Sequence, residues 1–299
     1  MIKLQMTLFL LMGVGFWAAK KGLLTAEVRK KVSDLFIAVI LPCSIIQSFL
    51  IEFTYDRILK SGWILLISIC AQIFYLILSK LLYRSIPKEQ RIILQYATIC
   101  SNAGFMGNPV AFGVFGHEGL FYASISLIPL RFFMWSAGLS LFTATDRKKV
   151  LKTLATHPCI LAVVIGFVLM LTGLRPPEFL GDAIAYIGSC TTAISMFVIG
   201  GILASADIKG SLLDRRLLYF SVVRLLLIPI SLYAVLSLLR IDSLLVGVTV
   251  LLAAMPAGST TAMLAEKYGC DSDFASRCVF MSIILSMLTL PLWGLLIGQ

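Results

Sequence analysis

The chain is 299 residues long, 59% hydrophobic and only 13% charged, with a mean hydropathy of +0.98. About a quarter of an ordinary soluble domain is charged, so these proportions exclude a water-soluble globule and place most of the chain in lipid. The net charge of +10 would point to nucleic acid in a soluble protein; here the cations follow membrane topology instead.

A helix needs roughly 20 apolar residues to cross a bilayer. Ten such stretches run in chain order, at about 4–19, 32–51, 62–83, 92–115, 119–143, 158–174, 183–205, 215–239, 243–265 and 275–297. The first is followed by Lys20, Lys21 and further spans, which favours a retained helix over a cleaved leader. Thr25 and Ser33-Asp34 resemble caps leading into the second span, where Pro42 predicts a kink, a broken helix being the alternative. With the N-terminus outside, eighteen Lys and Arg fall in inside loops against five outside, namely Lys3, Arg57, Lys60, Arg175 and Arg240. That bias puts both termini on the extracytoplasmic face of a multi-pass protein of the cell membrane. The lipid bilayer is then its surroundings, and no nucleic acid is a partner.

The seven cysteines are scattered, form no Cys-x-x-Cys pair, and accompany only two distant histidines, His117 and His157. No metal site is expected from them.

The spans divide into five and five, giving residues 1–145 and 158–299 joined by a basic cytosolic loop at 146–157. An odd number of crossings turns the second half over, so the expected fold is an all-α membrane protein of two inverted five-helix repeats. Pro109 and Pro256 interrupt the fourth and ninth spans, and Pro129 and Pro291 recur in the fifth and tenth. The aromatic-glycine pairs Phe115-Gly116 and Tyr268-Gly269 stand 153 residues apart. Interrupted helices at matching places of a duplicated membrane protein point to a transporter's binding site. Unpaired backbone groups persist in lipid only where protein or a wet cavity satisfies them.

In the fourth span, Ser101, Asn102, Gly104, Gly107, Asn108 and Pro109 combine helix-weakening residues with amides that would face a cavity; a packing seam of small residues is the alternative. In the ninth, Pro256 and Ala257 lead into Gly258, Ser259, Thr260 and Thr261. Three consecutive hydroxyls exceed what back-bonding to the previous turn absorbs, so at least one should face ligand, ion or water. Half-helix N-termini at such a crossing suit a carboxylate.

Arg131 lies near the middle of the fifth span, where a cation costs roughly 2.5–3.5 kcal/mol. It would either neutralise an anionic substrate or replace a bound cation within the bundle. Arg224, in the eighth span, is expected nearer the inner surface, snorkelling in a structural role. No Asp or Glu falls in the middle of any span, so simple sodium/proton exchange lacks its buried carboxylate. His-Glu-x-x-His, Gly-x-Ser-x-Gly and P-loop signatures are missing, and no enzyme is expected.

Taken in order, several motifs resemble the auxin efflux carrier family along nearly the whole chain. They are Gly22-Leu-Leu-Thr25, Ile40-Leu-Pro42, Asn102-x-Gly-Phe-x-Gly-x-Pro109 with Phe115-Gly116, Met255-Pro256-Ala257, Ala265-Glu-Lys-Tyr-Gly269 and Leu285-Ser-x-x-Thr-Leu-Pro-Leu-Trp293. The resemblance implies a ten-helix fold similar to sodium/proton antiporters and bile-acid symporters, working by elevator-type alternating access. Helices 1, 2, 6 and 7 would form a scaffold, usually a homodimer, and helices 3–5 and 8–10 a transport core. Broken helices 4 and 9 would cross at the substrate. It also implies that Asn102 contacts a carboxylate, as the matching Asn of the plant exporters does, and that small organic anions such as malate or malonate are the substrate class. The short central loop and Ala257, where plant exporters tend to place Gln, depart from the plant pattern. The expected function is a secondary or facilitative transporter of a small mono- or dicarboxylate without a cofactor, with Na+ or H+ as the candidate coupling ion. A sodium-coupled symporter resembling the bile-acid group is the alternative.

Overall fold

The computed structural model describes residues 2–50, 54–143, 148, 152, 155–204 and 214–297. The connecting loop expected at 146–157 lies mostly outside them. Twelve helical segments account for nearly all of the described residues; the only strand-like pairing among these is one isolated bridge.

The first five segments in chain order are α1 (Ile2–Lys20), α2 (Ala26–Phe49), α3 (Tyr55–Leu82), α4 (Lys88–Ile99) and α5 (103–115). Then come α6 (117–141), α7 (Pro158–Thr172), α8 (Glu178–Ala204) and α9 (Arg215–Leu238). Last are α10 (Ser243–Ala253), α11 (Thr260–Lys267) and α12 (Ser272–Ile297). Six helical stretches are long and apolar enough to cross a membrane: Ala26–Phe49, Tyr55–Leu82, Ala103–Leu141, Glu178–Ala204, Arg215–Leu238 and Ser272–Ile297. Met6–Lys20, Pro158–Thr172 and Ser243–Ala253 are shorter apolar helices.

Local chemistry sets the ends. Thr25, Thr54, Asp214 and Asp242 each accept a backbone N–H at the start of α2, α3, α9 and α10, the arrangement that satisfies an otherwise orphaned first-turn donor. Gly22 and Gly173 follow α1 and α7 at φ 75° and 67°, a left-handed conformation open to glycine at little cost. The aromatic-glycine pairs do the same work. Gly116 (φ 65°) turns the chain from α5 into α6, and Gly269 (φ 69°) follows α11.

Three prolines share one solution. Pro42, Pro109 and Pro229 each lie two residues beyond a widened turn, at Phe36–Ile40, Ala103–Gly107 and Val223–Leu227. Each turn closes with a bond five residues back, from Leu41 to Phe36, Asn108 to Ala103 and Ile228 to Val223. Proline donates nothing and its ring crowds the preceding turn; one extra residue in that turn makes room. Pro42 therefore produces a widened turn inside a continuous α2, not a break. In α9 the Leu225 carbonyl, which Pro229 cannot serve, accepts instead from Trp293 Nε1 at 2.9 Å.

The helices pack in two groups. α1 lies along the Thr191–Ala204 part of α8, and the second half of α2 packs on α7 and on the first part of α8. Glycines set both seams: a Cβ at Gly200 would come 2.0 Å from the Met12 carbonyl oxygen, and one at Gly166 would come 2.6 Å from the Phe49 ring. Arg29 caps α8 through the Gly201 carbonyl (2.7 Å), and Arg175 caps α2 through that of Leu50 (2.5 Å). In the second group α3 packs on α4 and α6, α10 on α6 and α9, and α12 on α4, α9 and α10. Phe36 on Phe105 (4.5 Å) and Phe49 on Phe121 (4.6 Å) join the groups.

Candidate functional site

The fourth and ninth expected spans are both interrupted, and the interruptions pair. Helix α4 ends at Ile99, Cys100 is extended at φ −112° and ψ 94°, and helical geometry resumes at Ala103. Helix α10 ends at Ala253 and α11 begins at Thr260. Across the two gaps Ser101 and Ala257 form an antiparallel bridge. Asn102 N donates to the Pro256 carbonyl at 2.8 Å, and Gly258 N to that of Cys100 at 2.9 Å. Two short extended segments thereby satisfy each other where lipid could not.

Residue choice follows from the close approach. Pro256 has no N–H to lose, so its carbonyl alone takes part. A Cβ on Gly258 would come 3.1 Å from the Cys100 oxygen and 3.3 Å from that of Ser101. The remaining donor, Ala257 N, is taken by Ser282 Oγ of α12 at 3.1 Å. Pro256 thus lies within the second gap, whereas Pro109 lies in neither. The first break falls at Cys100–Asn102, and Pro109 is absorbed within the helix beyond the widened turn.

Arg224 overturns its expected place. It does not snorkel: it is 1% exposed. Its Nε donates to the Met255 carbonyl at 3.1 Å and its Nη1 to that of Thr98 at 3.3 Å. Its guanidinium carbon stands 5.4 Å from the centre of the Tyr75 ring, within cation–π range. One side chain of α9 therefore holds the C-terminal ends of both α4 and α10. Arg131 is also buried, at 5% exposure, with Nη1 unpartnered. Its electrostatic neighbours are His157 and Cys159 at the start of α7. Burial, and secondarily the Arg131 charge, hold the His157 imidazole well below the usual histidine range, at about 4. Among the described residues these two arginines are the buried charges, and no carboxylate is buried with them.

Around the crossing several polar groups are buried without partners. Asn108 is fully buried and neither amide atom is bonded; Thr261 Oγ1 is in the same state. Such groups cost about 1–3 kcal/mol each until a ligand or water meets them. Asn102 is 4% exposed, Ser259 and Thr260 are half-buried, and Thr260 Oγ1 accepts from Tyr96 at 3.1 Å. The two glycines of the first motif differ. A Cβ at Gly107 would meet Leu252 at 2.7 Å, so Gly107 serves packing, whereas one at Gly104 would touch nothing within 4 Å.

Sequence reasoning missed a small, partly polar pocket beside the first gap. It is lined by Ser68, Gln72 and Tyr75 of α3, Ser101, Ser126 of α6 and Thr249 of α10, with apolar neighbours. Ser68 and Ser126 share a 2.7 Å hydrogen bond, while Gln72 Oε1 and Thr249 Oγ1 have no partner. The missed signal was a pair of polar residues one turn apart in apolar α3, Ser68 and Gln72. Among the described residues no group of three or more His, Cys, Asp or Glu could hold a metal.

A family model described as membrane transport protein matches residues 1–294. An uncharacterized transporter of Methanothermobacter thermautotrophicus is 32% identical over 206 residues, 68% of this chain and 67% of the relative. Another, from Methanocaldococcus jannaschii, is 25% identical over 290 residues, 94% of each chain. A putative malonate transporter of Rhizobium meliloti is 27% identical over 141 residues, 47% of this chain and 43% of the relative.

Proposed function

Given that this chain belongs to the membrane transport protein family, the auxin efflux carrier group its motifs resemble, we propose that it moves a small mono- or dicarboxylate across the cell membrane. That it is a multi-pass membrane transporter, not an enzyme, follows from the family and the six apolar membrane-length helices. The anionic substrate rests on one observation above others: the paired gaps at Ser101 and Ala257 lie against a buried guanidinium, with no buried carboxylate among the described residues. The outgoing helices α5 and α11 start at these gaps; their first-turn amides have no partner within the helix, although Thr261 N donates to the Gly258 carbonyl just before it. Those positive ends, with Asn102, Asn108 and the Ser259–Thr261 hydroxyls, form the proposed carboxylate site. The relative named as a malonate transporter supports the same substrate class.

The proposed architecture is ten spans in two inverted five-helix repeats, with α4–α5 and α10–α11 as the broken fourth and ninth. Matched features support it: Gly22 with Gly173 after helices 1 and 6, Gly116 with Gly269 after the second half-helices, and the reciprocal caps of Arg29 and Arg175. The group of α1, α2, α7 and α8 is the proposed scaffold and dimer surface, and the remainder the moving core of an elevator. Both termini then face outward. A second reading, sodium-coupled symport, draws on the neutral oxygen acceptors of Gln72 and Thr249 in the pocket.

The test is uptake and binding of malonate and malate by the full chain in proteoliposomes. Asn102→Ala should weaken carboxylate binding at least tenfold, about 1.4 kcal/mol. Unchanged affinity would remove Asn102 from the site, and uptake of neutral solutes alone would end the anion reading.

A further inference from the structure

We propose that Arg224 is a tethered counter-cation. It neutralises the C-terminal ends of α4 and α10 at the crossing, so that anion binding at the opposite, N-terminal ends needs no dissociable cation there.

Each helix C-terminus carries roughly half a negative charge in its unserved carbonyls, so two meeting ends amount to about one. A single guanidinium meets that requirement geometrically, with one nitrogen on the Met255 carbonyl (3.1 Å) and another on that of Thr98 (3.3 Å). A buried cation is costly unless it is paired and hydrogen-bonded. Arg224, at 1% exposure, has no buried carboxylate among the described residues to pair with. Its compensation comes from those peptide dipoles and from the face of Tyr75, 5.4 Å away. The position is itself built. Arg224 lies in the widened turn Val223–Leu227 that Pro229 imposes, and Trp293 ties down that turn through Leu225. Tyr75 also lines the small pocket between α3, α6 and α10, so the ring that faces the guanidinium borders that pocket too, and the fixed charge disfavours a second cation nearby. The electrostatic assignment is independent of transport; its consequence for coupling rests on the anion-transport reading above.

The experiment measures thermal unfolding of the purified full chain at constant ionic strength in sodium chloride and in choline chloride. Wild type, Arg224→Lys and Arg224→Met are compared, the last two similar in bulk but different in charge. The wild-type midpoint should be the same in both salts. Arg224→Met should fall by roughly 5 °C or more, and Arg224→Lys, which keeps the charge but loses one of the two contacts, should fall clearly less. A saturable gain in wild-type stability with sodium would overturn the proposal, as would equal behaviour of the Lys and Met variants. Should Arg224→Met fail to fold, the wild-type salt comparison still decides. In proteoliposomes, carboxylate uptake should proceed at the same rate with choline replacing sodium. Failure of all carboxylate uptake would remove the transport reading while leaving the unfolding comparison intact.

Discussion

The two interruptions are built differently although they pair with each other. The second contains a proline, a glycine without room for a Cβ and an amide handed to Ser282. The first opens at Cys100–Asn102 with no proline at all, while Pro109, seven residues past Asn102, is accommodated by a widened turn. A proline is therefore neither necessary nor sufficient to open these helices. What opens them is an alternative set of hydrogen bonds better than the helical one: Asn102 to Pro256, Gly258 to Cys100, and Arg224 across both ends. In lipid the chain leaves a helix only where every released group finds a partner.

That comparison can be broken at its tightest point. Gly258→Val places side-chain atoms against two backbone oxygens that cannot withdraw without dissolving the bridge. A loss of about 3 kcal/mol, at the upper end of overpacking penalties, should appear as aggregated or absent protein in size-exclusion chromatography. Gly104→Ala, in open space in the widened turn just past the first gap, should elute as wild type. Equal tolerance at both sites would mean that the pairing does not hold the crossing together.

Ser282→Ala probes the second interruption more gently. It leaves the Ala257 N–H buried without a partner, which costs about 1–3 kcal/mol and should lower the thermal midpoint without altering the oligomeric state. An unchanged midpoint would show that the bridge does not depend on α12.

The smallest effect on stability is expected beyond the first interruption, at Asn108. Its two amide atoms are buried and unbonded, so Asn108→Leu, similar in shape, should cost no stability. Carboxylate affinity measured by thermal shift should nevertheless fall at least tenfold. Retained affinity would leave Asn108 a packing residue and confine the proposed site to the gap itself.

The arginines draw the same lesson on a larger scale. Position along the chain made Arg131 the central cation and Arg224 a snorkelling one. The folded protein puts Arg131 beside His157 and Cys159, and Arg224 between two helix ends. Depth counted along one helix says nothing about what stands beside it at that depth. The aromatic-glycine pairs stood out in the sequence as matching landmarks; the structure supplies their reason, a positive φ that glycine alone meets cheaply. Pro229 was not legible, because the relief of its missing donor comes from Trp293 of another helix.

Composition alone determined that this chain lives in lipid, since 13% charged residues cannot clothe a protein of this size in water. Its clustered glycines, prolines and hydroxyls marked the two stretches in which the helices are interrupted, because weak helix formers in an apolar span need an external reason to be there. Only tertiary structure decided which peptide bonds leave the helix, which arginine meets them, and that Gln72 and Thr249 face one pocket. Those outcomes depend on partners more than twenty residues away in sequence, brought together when the two gaps bond to each other.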